Sequence, residues 1–590
     1  MLKEQQPVYP DPYQKNGSQF NIDDELPVNG LVGLNSTYEL NPESDVPFMH
    51  SWFLDAAHCT PPVTPMFGWH WTRFCTHGLK TACVEMSIPA CRGWEVRLYN
   101  NRIYFSLNII RDTEEIARRE FYFKRALQPW LDDFDGLWTG YKRELLGIYN
   151  RLKECDVDRA TNAELFRHNI DLMLAYRRMW EIHFLGMYAS FSAWYIFENI
   201  TGKRFGLTDL DPGFQDMMRG FDNQIYEMDK KLFEFKQLAL DMGLEKVFRN
   251  TGQDTIIRCL QQSEKGRQWY GKFMNFLHHD EVGGWRMTRF SDLTEPYWLE
   301  KPAIPLALIK DQIIHHSRFD LQNTREKISR KRETAIARFM DGVAIEERES
   351  ISGILKLAGK VSFYNEEHDL YCELMAHSLM RRGYLAIGRR LARARTINIP
   401  EDVFMLNPEE IGLIIINPEA YDLRQLAGRR KARWTENCRN LNPPTFFTDR
   451  GNLAEAIKMD VLPSQDAIAI KAMVGPPCQV NEPGGDLCGV CGCAGEVIGV
   501  ARVVFTYEDL NKVEPGDILV CPAANPAWTP VFGKINGVIS DNGGVLCHTA
   551  IIGREYGLPT IVNTRNGTRR IKSGDRIRLD ATRGVVYLLD

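Results

Sequence analysis

The residue best placed to do chemistry is His548, in the run Gly543-Gly544-Val545-Leu546-Cys547-His548-Thr549. The apolar residues Gly537-Val538-Ile539 ahead of it predict a short buried strand, and the two glycines permit a tight turn with close backbone approach. Thr549-Ala550-Ile551-Ile552-Gly553-Arg554-Glu555-Tyr556 predict a short helix, which Gly557 and Pro559 would end. That places His548 at a strand-to-helix turn, where the free N–H groups of a helix N-terminus favour an anion such as a phosphoryl group. A neutral imidazole is a nucleophile. With an ordinary pKa of about 6.5 most of it is neutral at pH 7, and a helix N-terminus raises that fraction. Taken alone, these residues leave open a turn histidine that merely caps a helix.

The longer run from Gly537 to Thr564 resembles the phosphohistidine, or swivelling, domain of the PEP-utilizing enzyme family. That family's pattern is read here in Gly543, Gly544, Cys547, His548, Ala550, Arg554, Glu555, Gly557 and Pro559. The resemblance extends to Glu514-Pro515-Gly516-Asp517-Ile518-Leu519-Val520, to Asn525-Pro526-Ala527-Trp528-Thr529-Pro530, and to Gly574-Asp575-Arg576-Ile577-Arg578-Leu579-Asp580. It implies that His548 is the residue phosphorylated, with Thr549, Arg554, Gly543 and Gly544 holding the phosphoryl group.

The chain of 590 residues is long enough for several domains. Hydrophobic residues make up 44% and charged residues 25%, as in a globular protein that needs no membrane. Lys plus Arg number 72 against 77 for Asp plus Glu, so no strong field points to nucleic acid as a partner. Fourteen cysteines form no dense disulfide framework, and the polar start from Met1 to Pro10 carries no apolar signal segment, so a reduced, cytoplasmic protein is expected. The apolar run from Phe184 to Phe197 is too short for a bilayer span and reads as a buried helix.

The expected fold class is α+β and multidomain. Residues 1–46 read as an irregular arm, 47–440 as a mainly helical acceptor-binding domain with a small β-containing N-terminal part, 441–486 as a linker, and 487–590 as the β/α swivelling domain. Arg97 to Phe105 predict a hairpin, with Asn100-Asn101 as positive-φ turn residues. From Thr113 to about Leu391, apolar residues recur at helical steps. Several pieces resemble the substrate and middle domains of rifampin phosphotransferases. They include Trp52 to Pro65 with its Asp55-x-x-His58, Met217 to Asp229, Phe276 to Asp280, Arg381 to Leu391, and Ile399 to Leu406.

Trp180, Phe184 and their aromatic neighbours lie at helical spacing. They read as core or as the wall of an aromatic acceptor site, where His183 would serve as general base. Arg429, Arg430, Lys431 and Arg433 read as a solvated helix face or as a phosphate clamp. Cys488, Cys491 and Cys493 lack a second pair at zinc spacing, so no metal is expected there. His50, His58, His70 and His77 follow no metal-site spacing either, and the expected metal complement is none. His278-His279 reads as a helix end with a possible role near the substrate.

No Walker A pattern occurs, and no barrel for PEP or pyruvate is read in the sequence. The division of labour resembles phenylphosphate synthase, where the histidine-bearing and ATP-binding subunits are separate chains. It implies no tightly bound cofactor, Mg-ATP used through a separate ATP-binding phosphotransferase subunit, and a small aromatic hydroxyl substrate. The overall reaction implied is phenol + ATP + H2O giving phenylphosphate + AMP + phosphate. A split rifampin-like antibiotic phosphotransferase and a phosphohistidine carrier or regulatory protein are the other readings.

Overall fold

The computed structural model describes residues 39–449 and 485–589, apart from residues 50, 57, 60, 61, 90, 209, 210, 222, 253, 254, 280, 282, 290, 315–320, 441, 442 and 525–527. Most of the expected arm and most of the expected linker lie outside the described residues. The ends of both spans are ordered differently from the expectation. A helix, Pro42–Met49, begins within the arm, and Phe446–Thr448 within the linker form a strand.

The N-terminal part is a four-stranded antiparallel sheet of β1 (Ser51–Leu54), β2 (Cys91–Tyr99), β3 (Arg102–Ile109) and β4 (Phe446–Thr448), in the order β2-β3-β1-β4. The β2–β3 hairpin turns at Asn100 and Asn101, at φ of 49° and 58°, as their residue types predict. Between β1 and β2 runs α1 (Pro65–Glu85). Thr64 caps it and Pro65 opens it, and Thr64 is anchored in turn by Asp292, whose carboxylate accepts from its N–H (2.7 Å) and its hydroxyl (2.9 Å).

The helical part is built on α2 (Thr113–Glu154), α3 (Asn162–Phe205), α4 (Gln224–Asp241), α5 (Arg348–His368) and α6 (Met375–Arg393). Helix α3 starts at a Thr161–Glu164 capping box and stops at Gly206, whose φ of 66° only glycine adopts freely. Its middle is buried nearly all round, from Met179 to Trp194, so the apolar run is core. Helices α5 and α6 form one rod interrupted by a turn of π-helix, Asp369–Leu374. At the α3–α5 crossing, a Cβ on Gly186 would lie 2.4 Å from the Tyr364 ring, so glycine is what lets the helices meet.

The C-terminal part is an eight-stranded mixed sheet, ordered β5-β12-β11-β7-β8-β9-β10-β6. The strands are β5 (Leu487–Cys488), β6 (Val490–Cys493), β7 (Glu496–Val503), β8 (Ile518–Cys521), β9 (Gly537–Ser540), β10 (Thr560–Val562), β11 (Arg576–Asp580) and β12 (Val585–Leu589). Its centre, β7 to β10, is parallel. Helix α7 (His548–Tyr556) follows β9 at the carboxyl end of these strands, where open α/β sheets bind ligands. The molecule is therefore an α+β protein of several parts. No described helix is long and apolar enough to cross a membrane.

Gly186→Ala should drive a methyl into Tyr364 and destabilise the fold by about 1–3 kcal/mol, the usual cost of overpacking. Thermal or urea unfolding of the full chain would show it, and an unchanged midpoint would refute the crossing.

Candidate active site

His548 is the first residue of α7, with Cys547 as N-cap in extended geometry. The turn before it depends on Gly543. Its φ is +105°, and a Cβ there would lie 2.4 Å from the Cys547 sulfur. Val545, Leu546, Cys547 and Ala550 belong to the hydrophobic core of the helical part rather than to the two cores of their own sheet. Burying a side chain such as Leu546 contributes about 1.5–3 kcal/mol. The tip of the turn is thus a plug, and it delivers His548 to a cavity inside the helical part.

That cavity is walled by Trp71, Trp94, Phe105, Trp180 and Phe184, with Asp55, His58, His183, His368, Glu373 and His548 as its acidic and histidine lining. Its volume is about 80 Å³, the scale of a small ligand rather than of a macrocycle.

The polar groups are close and buried. Asp369 Oδ2 lies 3.0 Å and Glu366 Oε1 3.6 Å from His548 Nδ1. Asp369 Oδ1 lies 3.3 Å from His368 Nε2, so one carboxylate bridges the two histidines. Glu373 Oε1 lies 2.8 Å from His183 Nε2 and 4.0 Å from His368 Nε2. On the other side, His58 sets its ring edge against His548, centroids 5.4 Å apart, and Asp55 holds its Nδ1 at 3.0 and 3.2 Å.

Burial governs their charge. It pushes the His548 pKa down to about 3, with His58 adding to the fall, and likewise His368 to about 3. His183 is pushed well below its ordinary value by burial and by His58 and His548. Burial lifts the carboxyl of Glu366 to about 8 and raises Asp369 and Glu373, and neighbouring carboxylates push Glu366 and Asp369 further. His58 is the exception. Burial lowers it, but the charge and hydrogen bond of Asp55 outweigh that and leave it above its ordinary value. Among the described residues, two sets of side chains are spaced to ligate a cation, His183-His368-Glu373 and Glu366-Asp369-His548.

The structure brings together His548, Trp180, His183 and Phe184 of the residues singled out from sequence. It does not bring the others to the cavity. Thr549 is turned to the neighbouring loop, where its hydroxyl accepts from the Ala524 N–H at 2.9 Å. Arg554 is buried, donates to the Gly492 carbonyl at 2.9 Å and lines no part of the cavity. As placed, neither residue cradles a group on His548, because both side chains are engaged with their own sheet unit. Arg430 is held in a bidentate pair with Glu410 (2.8 and 2.9 Å), Arg429 is exposed, and neither these nor Arg433 lines the cavity. His278 and His279 end the helix Glu264–His279, also away from it. Cys488 ends β5, and Cys491 and Cys493 lie on β6.

Sequence reasoning missed Asp55 and His58 as site residues, although their Asp-x-x-His spacing was visible. It also missed the whole run Asn365 to Glu373. There the available signal was a string of charged residues inside an otherwise apolar helix.

Outside the cavity, a buried network joins the two parts. Arg286 donates to Asp229 (3.0 Å) and to the Thr529 hydroxyl (2.7 Å), while Thr529 and Tyr556 donate to Asp229 (2.7 and 2.6 Å). Glu555 accepts from the Gly220 N–H at 3.0 Å and pairs with Arg325.

Residues 513–584 match the family described as PEP-utilising enzyme, mobile domain, and residues 179–366 match that described as rifampicin phosphotransferase fourth domain. The chain thus carries a PEP-utilising mobile domain, which holds His548, and a helical segment of the rifampicin phosphotransferase type. Among its relatives is an "uncharacterized phosphotransferase YvkC" of Bacillus subtilis (strain 168), 24% identical over 545 residues, 91% of this chain and 62% of that protein. The rifampicin phosphotransferase of the same organism is 29% identical over 315 residues, 52% of this chain and 33% of that protein. A probable phosphoenolpyruvate synthase of Pyrococcus horikoshii is 40% identical over 92 residues, 15% of this chain and 11% of that protein. The chain therefore spans less than two thirds of the length of each of these relatives.

The depressed His548 pKa has a signed consequence. Below about pH 6.5 the unfolded chain takes up a proton that the folded chain refuses until about pH 3, so stability is lost as pH falls through that window. Between pH 7 and 5 the melting temperature of the native chain should fall more steeply than that of His548→Gln. Parallel curves would show that His548 titrates normally.

Proposed function

We propose that the chain is a phosphotransferase component in which phosphorylated His548 delivers its phosphoryl group to the hydroxyl of a small aromatic acceptor, such as phenol, bound in the aromatic cavity. The observation that carries this reading is the seating of His548, at a helix N-terminus and kept neutral by burial, in the wall of a cavity built from aromatic rings. The mobile-domain match and the phosphotransferase names of the relatives support the reaction class. Charging of His548 by Mg-ATP on a separate ATP-binding protein in the cytoplasm completes the proposal.

With its proton on Nδ1, 3.0 Å from Asp369 Oδ2, His548 presents the Nε2 lone pair to the phosphoryl group. In transfer, the acceptor oxygen attacks phosphorus in line, the P–N bond breaks, and its electron pair returns to the His548 ring. The acceptor's proton goes to His58, which Asp55 orients through Nδ1 and stabilises once charged, the arrangement of an Asp–His base. His58 takes this role rather than His183, because Asp55 raises the basicity of His58 while burial lowers that of His183. Aromatic walls exclude water, which would otherwise compete as acceptor.

A bulky antibiotic acceptor is the second reading, favoured by the rifampicin phosphotransferase match over half the chain. The cavity volume argues for the smaller acceptor in the arrangement seen.

With unlabelled phenylphosphate and labelled phenol, the chain alone should move label into phenylphosphate, and His548→Ala should abolish the exchange. A folded chain without exchange would remove the phenol reading, and phosphorylation of rifampicin would then favour the second. The acid limb of the exchange should lie above the ordinary histidine value, because His58 must be neutral to accept the proton. Asp55→Asn should move that limb to lower pH and slow exchange by about 10²–10⁴-fold. An unmoved limb would exclude the Asp55–His58 base.

A further inference from the structure

The acceptors around His368 face one another. His368 Nδ1 is 2.7 Å from the Tyr364 carbonyl oxygen. Nδ1 must therefore donate, which leaves Nε2 as a lone pair in the neutral ring. That lone pair points at carboxylate oxygens, Asp369 Oδ1 at 3.3 Å and Glu373 Oε1 at 4.0 Å. Glu373 Oε2 and Asp369 Oδ1 are buried without a hydrogen-bond partner among the described residues, and Glu373 is only 2% exposed. A convergence of buried acceptors is unfavourable unless a proton or a metal cation sits among them.

We propose that His183 Nε2, His368 Nε2 and Glu373 Oε1 form a binding site for one divalent transition-metal cation, of the zinc class, in the wall of the acceptor cavity. These atoms lie within 4.8 Å of one another, as donors around a single ion must. Two imidazole nitrogens with one carboxylate oxygen select a borderline first-row ion over magnesium or calcium, which take oxygen ligands. The Tyr364 carbonyl fixes the His368 tautomer from behind, the support that ligating histidines characteristically have. Three protein ligands leave a position open, and all three residues line the cavity. The chemical role rests on the reading above: an acceptor hydroxyl oxygen would take the open position, which lowers its pKa and orients it. The binding site itself does not rest on that reading.

The test uses the full chain, dialysed against chelator and titrated with Zn²⁺ alone, without acceptor or phosphoryl donor. One equivalent should bind and raise the melting temperature. Co²⁺ in its place should give visible d–d absorption of a low-coordinate nitrogen–oxygen site. Glu373→Gln and His368→Gln should each weaken Zn²⁺ binding by about 100-fold, while their circular dichroism stays native. His548→Ala should leave binding unchanged. Absence of stoichiometric binding to the native chain would overturn the proposal, whatever the variants do. So would binding lost in His548→Ala but kept in Glu373→Gln, which would move the ion to the Glu366-Asp369-His548 set. If exchange with phenol fails while Zn²⁺ still binds at these residues, the site stands and the acceptor reading falls.

Discussion

The desolvation of Asp369 and its neighbouring carboxyl groups is the constraint on which the rest of the site depends. In water these acids ionise near pH 4. Inside the cavity, burial lifts Glu366 to about 8 and raises Asp369 and Glu373, while the same burial brings His548 and His368 to about 3. Both changes favour the uncharged form. The pocket is therefore poised against isolated charge and accepts it in compensated form, as a cation among carboxylates or as a proton moving between acid and base. A nucleophilic imidazole is kept neutral by the same effect that makes the carboxylates costly.

Holding such groups together requires an irregular backbone. In an α-helix five residues advance about 140° beyond a full turn, so His368 and Glu373 would diverge. The π-helical turn Asp369–Leu374 winds more residues into one revolution and returns Glu373 towards His368 and His183. The interruption sits inside the α5–α6 rod, whose two ends pack against the rest of the helical part, so its geometry is fixed from both sides. The close α3–α5 crossing at Gly186 then sets His183 opposite His368, their rings 4.3 Å apart.

Local features were legible in the sequence and long-range assembly was not. The β9–turn–α7 unit, the hairpin at Asn100-Asn101 and the buried α3 each follow from residues within one short window, where turn chemistry and periodicity act. His58 and Glu373 meet across more than three hundred residues, and no local spacing records that. The π-turn has no signature beyond a charged string, Asn365 to Asp369, which periodicity reads as a solvated face. Arg554 lies away from the cavity for a different reason. The family resemblance implies a phosphate contact for it, yet residues 548 and 554 project from different faces of α7, about 120° apart around its axis. The Arg554 guanidinium accordingly meets the Gly492 carbonyl on β6.

The junction between the sheet unit and the helical part carries a balance suited to reversible docking, which the proposed charging by a separate protein requires. On one side is an apolar plug, Val545 and Leu546, whose burial favours the docked state. On the other is the network of Asp229, Arg286, Thr529 and Tyr556, in which every hydrogen bond made on docking is matched by one to water on release. Buried ion pairs add little net stability, because desolvation offsets their attraction, but they exclude wrong registers, since a displaced partner leaves a charge uncompensated. The plug thus supplies affinity and the network supplies alignment. An interface made wholly of apolar side chains would hold His548 at the acceptor cavity, and one made wholly of charges would not seat it there.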